Sequence, residues 1–137
     1  MQLRYAIACD YASATQDGRL NIVGVIDRLF ASQFPAVHRT LFLVASMEIE
    51  PDDDGHEREV HIQLLDSDAR MLADLKGHLR LGHGDRILNQ VHVFQDLRFD
   101  APGTYRFNIF LDGVLSKTLD LDLVQLDMPE APGGEFV

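Results

Sequence analysis

Three consecutive aspartates, Asp52, Asp53 and Asp54, come closest to a metal site among the residues of this 137-residue chain. Calcium takes about six to eight oxygen ligands, and clustered loop carboxylates supply them. If the strands alternate in direction, further acidic loops lie at the same end as this run, namely those with Asp10, Asp17, Asp85 and Asp112. Calcium at the three aspartates is therefore an alternative. The preferred interpretation is solvated acidic turns, which are common in an acidic protein, and no metal is predicted.

Histidine side chains form the second set of potential metal ligands. By the alternation of apolar residues, three of the six histidines point outward from consecutive predicted strands: His61, His78 and His92. Three imidazoles on one sheet face could bind zinc, but the short H-x-x-x-H or C-x-x-C spacings that fix a zinc site locally are missing. We therefore expect solvated histidines and no cofactor.

Sequence signatures of catalysis are missing from the chain. There is no G-x-S-x-G nucleophile motif, no H-E-x-x-H motif and no phosphate-binding P-loop. The single cysteine, Cys9, falls at an apolar position of a predicted strand with no histidine beside it, which favours packing over nucleophilic attack. Asp66 and Asp68 share a turn with no apolar pocket that would raise a carboxyl pKa. The chain is therefore predicted not to be an enzyme.

Alternating apolar residues define the elements that must position these side chains. The clearest case is a predicted hairpin at residues 102–123, where every second residue is apolar over residues 105–111 and, except for Lys117, over residues 115–123. Between the two runs, Asp112-Gly113 supplies two residues that tolerate the positive φ of a type I′ turn. The pattern places both runs, including Leu115, on one sheet face.

Six further segments alternate in the same way, at residues 2–9, 19–26, 40–50, 57–65, 70–81 and 87–99. Eight such strands predict an all-β, single-domain antiparallel β-sandwich, immunoglobulin-like or C2-like, with a β-barrel as the alternative. Gly24, inside the second strand, predicts a bulge or the close approach of another backbone. The predicted domain spans residues 1–126, and residues 127–137 are predicted to form a mobile tail.

Two groups of apolar residues fall outside the predicted core pattern. The connection at residues 27–39 is unusually apolar, and we expect Phe30 and Phe34 to be half-buried, either closing one end of the sandwich or binding a partner. Four further residues are out of phase with the core and predict an outer patch for a homodimer or docking contact: Phe42, Val44, Phe94 and Phe110.

The charge balance limits the partners of the chain. It contains 22 acidic and 12 basic residues, a formal net charge of −10, so neither nucleic acid nor an anionic membrane is an expected partner. The single cysteine excludes an internal disulfide and suits a reducing compartment. No signal-peptide pattern and no apolar run of about 18 residues occur, which predicts a cytoplasmic protein.

Several short motifs carry a resemblance to a known family. They are Asn-Ile-Val-Gly-Val-Ile-Asp-Arg-Leu-Phe at residues 21–30, Phe-Pro-Ala-Val-His at 34–38, Pro-Gly-Thr-Tyr-Arg-Phe at 102–107 and the Asp112-Gly113 turn. With these motifs the chain resembles a family of small uncharacterised bacterial proteins, which implies a β-sandwich and a bacterial origin. That family has no established activity, so no functional residue carries over. The motif residues to follow are Gly24, Asp27, Phe34, Pro35 and His38.

These patterns predict a non-enzymatic protein–protein interaction or assembly module. Its partner is another protein or a second copy, as a homodimer, and no residue set in the sequence specifies a reaction. The acidic loops resemble those of calcium-dependent C2 domains in layout, which implies a calcium-responsive binding module as the alternative function. The predicted partner-binding residues are Phe30, Phe34, Pro35, His38, Phe42, Phe94 and Phe110.

Overall fold

The computed structural model describes residues 1–53, 55–82, 84 and 86–127. Within these ranges the chain forms nine β-strands and one 3-10 turn, Pro51–Asp53, so the predicted all-β fold is confirmed with nine strands in place of eight. No helix in the described ranges is long and apolar enough to cross a membrane. Asp54, Asp85 and nearly all of the predicted tail lie outside the described residues. The strands are β1 (Gln2–Ala14), β2 (Leu20–Val25), β3 (Arg28–Ala31), β4 (Ala36–Glu48), β5 (Glu57–Leu65), β6 (Met71–Arg80), β7 (Ile87–Phe99), β8 (Gly103–Leu111) and β9 (Val114–Gln125).

The strands form two sheets that pack face to face. One has four strands in the order β2-β1-β4-β7, and the other has five in the order β3-β9-β8-β5-β6. Neighbouring strands are antiparallel except β3 and β9, which run parallel. The main core lies between the sheets, so the architecture is the predicted β-sandwich. Its largest fully buried side chains include Phe99, Phe107, Leu41, Leu43 and Met47.

β8 and β9 form the predicted hairpin. Asp112 and Gly113 adopt φ values of 49° and 79°, the two successive positive values that a type I′ turn requires. The Asp112 carboxylate also accepts a 2.9 Å hydrogen bond from the backbone N–H of Glu59, which ties the turn to β5. A register shift beside Phe110 places Leu115 on the outer face, where it is exposed. The prediction that Leu115 points inward is therefore wrong.

The connection at residues 27–39 contains a strand that the sequence did not predict. β3 pairs in parallel with the end of β9. Leu29 and Ala31 are buried because the chain crosses here from the four-stranded to the five-stranded sheet before β4 returns it. Phe30 and Phe34 are half-buried, as predicted, and Phe34 packs against the main core.

β1 is long enough to pair with two different strands. Its first half pairs with β4, and from Cys9 onward it pairs with β2. The β1–β2 hairpin curls over the outer face of β4 and β7, where Asn89 Nδ2 donates a 3.3 Å hydrogen bond to Gly18 O. This arrangement encloses a second, smaller core of Cys9, Ala12 and Val44. Because Val44 is fully buried there, the prediction that it belongs to an exposed outer patch is wrong.

Along β7 the buried side chains change from an even-numbered residue, Phe94, to the odd-numbered residues Leu97 and Phe99. Phe94 lies in the main core at 7% exposure, and the next core residue of the strand is Leu97. Asp96, between them, adopts a φ of 54°, and a left-handed residue re-aims the side chains that follow it. The register with β4 continues without a break, so β4 shifts its buried side chains at the same point. The prediction that Phe94 is out of phase with the core is therefore wrong.

Candidate functional site

The four residues predicted to form an outer apolar patch do not share a surface. Phe42 lies on the outer face of the four-stranded sheet, with its ring centroid 5.3 Å from that of Tyr11. Phe110 lies on the outer face of the five-stranded sheet, on the opposite side of the sandwich, beside His61. Phe94 is inside the core, 5.6 Å from the ring of Phe107. Phe42 and Phe110 therefore lie on opposite outer faces, Phe42 beside Tyr11 and Phe110 opposite the exposed Leu115, and Phe94 lies on neither.

The residues predicted around the 27–39 connection are dispersed. His38 lines a pocket of about 300 Å³ together with Asp10, Arg28 and the apolar side chains of Ile26 and Leu29. The other predicted residues lie elsewhere. The Arg28 guanidinium lies over the ring of Phe30, 6.0 Å from the ring centroid. Phe34 packs against the main core, and Pro35 is exposed. The pocket therefore holds only one of the predicted partner-binding residues.

The pocket beside His38 is a polar recess. None of the described residues that line it is a cysteine, serine or threonine that could act as a nucleophile beside the imidazole. Burial lowers the pKa of His38, against the opposing effects of Asp10 and of a backbone hydrogen bond at Thr40, so its imidazole is neutral near pH 7. Cys9 faces the second core instead, and burial raises the pKa of its thiol. Gly24 borders the recess with a φ of 68°, and a Cβ there would lie 2.9 Å from Asp10 Cγ. The group that crowds Gly24 is the Asp10 side chain, whereas the sequence predicted a bulge or the close approach of another backbone.

Asp53 is a charged side chain enclosed at 2% exposure. Its carboxylate accepts hydrogen bonds from the Met1 ammonium at 2.7 Å, from the backbone N–H of Glu50 at 2.8 Å and from two nitrogens of Arg58 at 2.5 and 3.1 Å. Burial raises the pKa of Asp53, but these hydrogen bonds outweigh burial and hold the pKa at about 2. Both oxygens are therefore engaged within the protein, and the calcium alternative loses its central ligand.

The acidic loops do not gather at one end as predicted. Asp112 joins the Asp53 network through Arg58, whose guanidinium lies 3.4 Å from it. Asp17 instead pairs with an arginine at the tip of the β1–β2 hairpin, and Asp10 lines the recess beside β3. Among the described residues, no group of three or more histidine, cysteine, aspartate or glutamate side chains is placed to hold a metal ion.

The three histidines predicted to point outward do not share a face. His61 and His78 lie on the outer face of the five-stranded sheet, each paired with a carboxylate. His92 pairs across the sheet with Leu43 on the core side of the four-stranded sheet, where its Nε2 lies 3.1 Å from Gln90 Oε1. Burial lowers the pKa of His92. The prediction that all three point outward is wrong for His92.

A row of apolar side chains crosses the outer face of the four-stranded sheet. Val25, Cys9, Phe42 and Val93 are successive cross-strand partners on β2, β1, β4 and β7. Val25 is 67% exposed and Val93 is 47% exposed, and the neighbouring pair on β1 and β2 is also more than half exposed. We call the accessible members of this surface the apolar band: Tyr11, Val23, Val25, Phe42 and Val93.

Sequence reasoning found only Phe42 of the apolar band. The signal that it missed is that both faces of β2 carry apolar residues, with Leu20 and Ile22 in one phase and Val23 and Val25 in the other. A strand with two apolar faces indicates a second covered surface. Here the β1–β2 hairpin covers part of that surface, and the band is the part left open.

The apolar band ends at β7, an edge strand with one free side. In the described part of the chain, β7 pairs only with β4. Residues 87–95 of this strand contain no charged side chain and no proline, and the positive φ of Asp96 ends this regular stretch. Proteins commonly protect sheet edges with charges, prolines, bulges or short strands. The first nine residues of β7 show none of these features.

The hydrogen-bonding groups that face the free side of β7 follow from its register. Ile49 N donates to Arg86 O, and the register continues along the whole strand pair, so the even-numbered residues of β7 bond to β4. The backbone N–H and C=O groups of Asn89, Val91 and Val93 therefore point away from the sheet. They form a ladder to which another extended strand can bind.

Fold and surfaces together define a two-sheet β-sandwich with an apolar band that runs to an open, uncharged strand edge. The chain belongs to a family of unknown function (DUF6941), whose sequence model matches residues 4–124. The resemblance to an uncharacterised family that the motifs predicted is confirmed. No curated protein matches the chain in sequence.

Proposed function

We propose that this protein is a non-enzymatic protein-interaction module that binds an extended strand of its partner along the free side of β7. The observation that carries the proposal is the uncharged, proline-free stretch at residues 87–95. In such β-augmentation, main-chain hydrogen bonds supply affinity and alternate side chains supply specificity. The backbone N–H and C=O groups of Asn89, Val91 and Val93 that face the free side provide these hydrogen bonds. The apolar band beside Val93 provides the surface that selects the side chains of the bound strand.

The other sheet edges explain why β7 is the preferred site. β6, the other long edge strand, exposes Asp74, Lys76 and Arg80, and charges of this kind block the addition of a strand. β2 and β3 are edge strands of six and four residues, too short to offer a comparable ladder. β7 has 13 residues and, among the described residues, a neighbouring strand on one side only.

The expected partner is a protein segment with alternating apolar residues and no excess of acidic ones. The chain carries a net charge of −10, so an acidic segment would be repelled, whereas an uncharged or basic one would not. The proposal involves no cofactor, nucleic acid or membrane. A reducing compartment suits the single buried cysteine, and we place the module in the cytoplasm.

A labelled peptide of alternating valine and threonine, added to dilute protein and followed by fluorescence anisotropy, tests the proposal. We expect binding to the wild-type chain and a loss of at least about tenfold in affinity for Val93→Pro, because proline removes a donor that faces the free edge while the bonds to β4 remain. Met71→Lys, on the edge strand β6, is the control and should bind normally. Binding that is absent, or equal in all three proteins, would refute the proposed site.

A further inference from the structure

We propose that the strand bound by β7 is β7 of a second copy, so that two chains form a closed dimer with a continuous eight-stranded sheet. This inference rests on the proposed function and names the partner of the same edge. Two identical antiparallel strands are related by a two-fold axis, and each copy offers the same surface to the other. Once the two β7 edges are paired, neither remains open, so the assembly stops at two chains.

The register of the dimer follows from the faces of the strand. Residues with outward backbone groups must meet each other, which allows only registers in which odd-numbered residues oppose odd-numbered residues. A two-fold axis at His92 places Val91 opposite Val93 of the second copy, and Asn89 opposite Gln95 of the second copy. An axis at Val91 would instead place the Asn89 amide against an apolar side chain. The axis at His92 instead places valine opposite valine and one side-chain amide opposite another.

Side-chain pairing in this register is favourable on the outer face. Directly opposed β-branched residues stabilise an antiparallel pair. Asn89 Nδ2 already donates to Gly18 O, but Asn89 Oδ1 has no partner among the described residues of the single chain and can accept a hydrogen bond from the opposed Gln95 amide. Val93 is 47% exposed in the single chain, and the partner strand covers it. Each apolar band ends at Val93, and Val93 of one copy lies opposite Val91 of the second copy. The apolar bands of the two copies are therefore adjacent.

Electrostatics decides which part of the surface two copies can share. Each chain carries a net charge of −10, so association is least opposed where neither surface has charged groups. Residues 87–95 provide such a stretch. The two His92 side chains oppose each other at the axis, and since burial lowers the pKa of His92, both imidazoles are neutral near pH 7. Asp96 and Arg98 lie beyond the paired segment.

The mass of the protein in solution, measured by light scattering coupled to size exclusion, tests the dimer directly. We expect a species of about 31 kDa, twice the 15.4 kDa of one chain, that dissociates on dilution. Val93→Lys places two like charges beside the axis and Val93→Pro removes two hydrogen bonds per dimer, so each variant should weaken dimerisation by at least about tenfold. Met71→Lys adds the same charge on β6 and should remain dimeric.

Disulfide cross-linking tests the register. The double variant Val91→Cys, Val93→Cys places two thiols opposite each other across the axis and should give a covalent dimer on oxidation, whereas Val91→Cys alone should do so slowly because its thiols are diagonal neighbours. Equal cross-linking of both variants would overturn the axis at His92. Cys9 is fully buried and provides no competing thiol.

The outcomes separate this inference from the proposed function. A single 15.4 kDa species at high protein concentration, or a dimer that both Val93 variants leave intact, would overturn pairing of two copies through β7. If the valine–threonine peptide still bound in a Val93-dependent manner, β7 would remain a strand-binding edge with a different partner. If peptide binding also failed, both proposals would be wrong. Circular dichroism and thermal melting of each variant establish that the fold is retained.

Discussion

Replacing Asp53 by asparagine should destabilise the protein in a pH-dependent way. The carboxylate is enclosed and accepts hydrogen bonds from Met1, Glu50 and Arg58, which hold its pKa at about 2 against an ordinary value of 3.8. At about 1.4 kcal/mol for each pKa unit, this difference corresponds to about 2 to 3 kcal/mol of folding free energy near neutral pH. Asp53→Asn removes this contribution and leaves two cationic groups facing an amide.

The sign of the pH dependence follows from the lowered pKa. A carboxyl group whose pKa is lower in the folded than in the unfolded chain stabilises the fold above its unfolded pKa, and the contribution disappears as the pH falls through its folded pKa. For Asp53 that window extends from about pH 5 to below pH 2, and about half of the contribution should be gone near pH 3. The difference in unfolding free energy between wild type and Asp53→Asn isolates this effect from the other carboxylates.

Urea unfolding at several pH values measures that difference. We expect a gap of about 2 to 3 kcal/mol at pH 7, narrowing steadily below pH 5. Asp52→Asn is the matched control, because Asp52 is the exposed neighbour of Asp53, and it should change stability by less than about 0.5 kcal/mol. A gap that stays constant from pH 7 to pH 3, or one no larger than that of the control, would refute the role assigned to the carboxylate.

Three further substitutions test the fold itself. Gly24→Ala should destabilise by about 1 to 3 kcal/mol in thermal or urea unfolding, because its φ is 68° and a Cβ would meet Asp10, and the added change Asp10→Ala should restore part of the loss. Phe94→Ala should cost about 3 to 5 kcal/mol and Phe110→Ala clearly less, since only the former lies in the core, and equal losses would contradict this placement. His92→Pro should unfold β7 where Val93→Pro does not, because the His92 N–H points to β4, and hydrogen exchange of the β4 amides reports the difference.

The parts of the fold that could be predicted from the sequence are those with local causes. The β8–β9 hairpin depends on Asp112-Gly113 and on strict alternation in β8, both of which are visible in the sequence. The half-buried state of Phe30 and Phe34 likewise follows from apolar residues in a connection. In each case the feature that was predicted follows from residue types that lie beside one another in the chain.

The parts that could not be predicted depend on contacts between distant segments. Asp96 is not a glycine but adopts a positive φ. The sequence around it therefore does not predict that the alternation of buried and exposed side chains in β7 changes phase beside Phe94. β3 forms because residues 28–31 can pair in parallel with the end of β9. The pairing of Asp53 with Met1 and the cover that the β1–β2 hairpin places over Val44 also join segments far apart in sequence.

The same tertiary contacts explain why the open surface lies where it does. Curling of the β1–β2 hairpin buries Val44 but stops short of Val93, so one apolar face is divided into a covered part and the exposed band. A charged side chain at position 93 would protect the edge of β7 at little cost to the single chain, because nearly half of that side chain already contacts solvent. β6 has such protection and β7 does not. This contrast between two long edges of one sandwich is the observation that supports the proposed binding of a strand at β7.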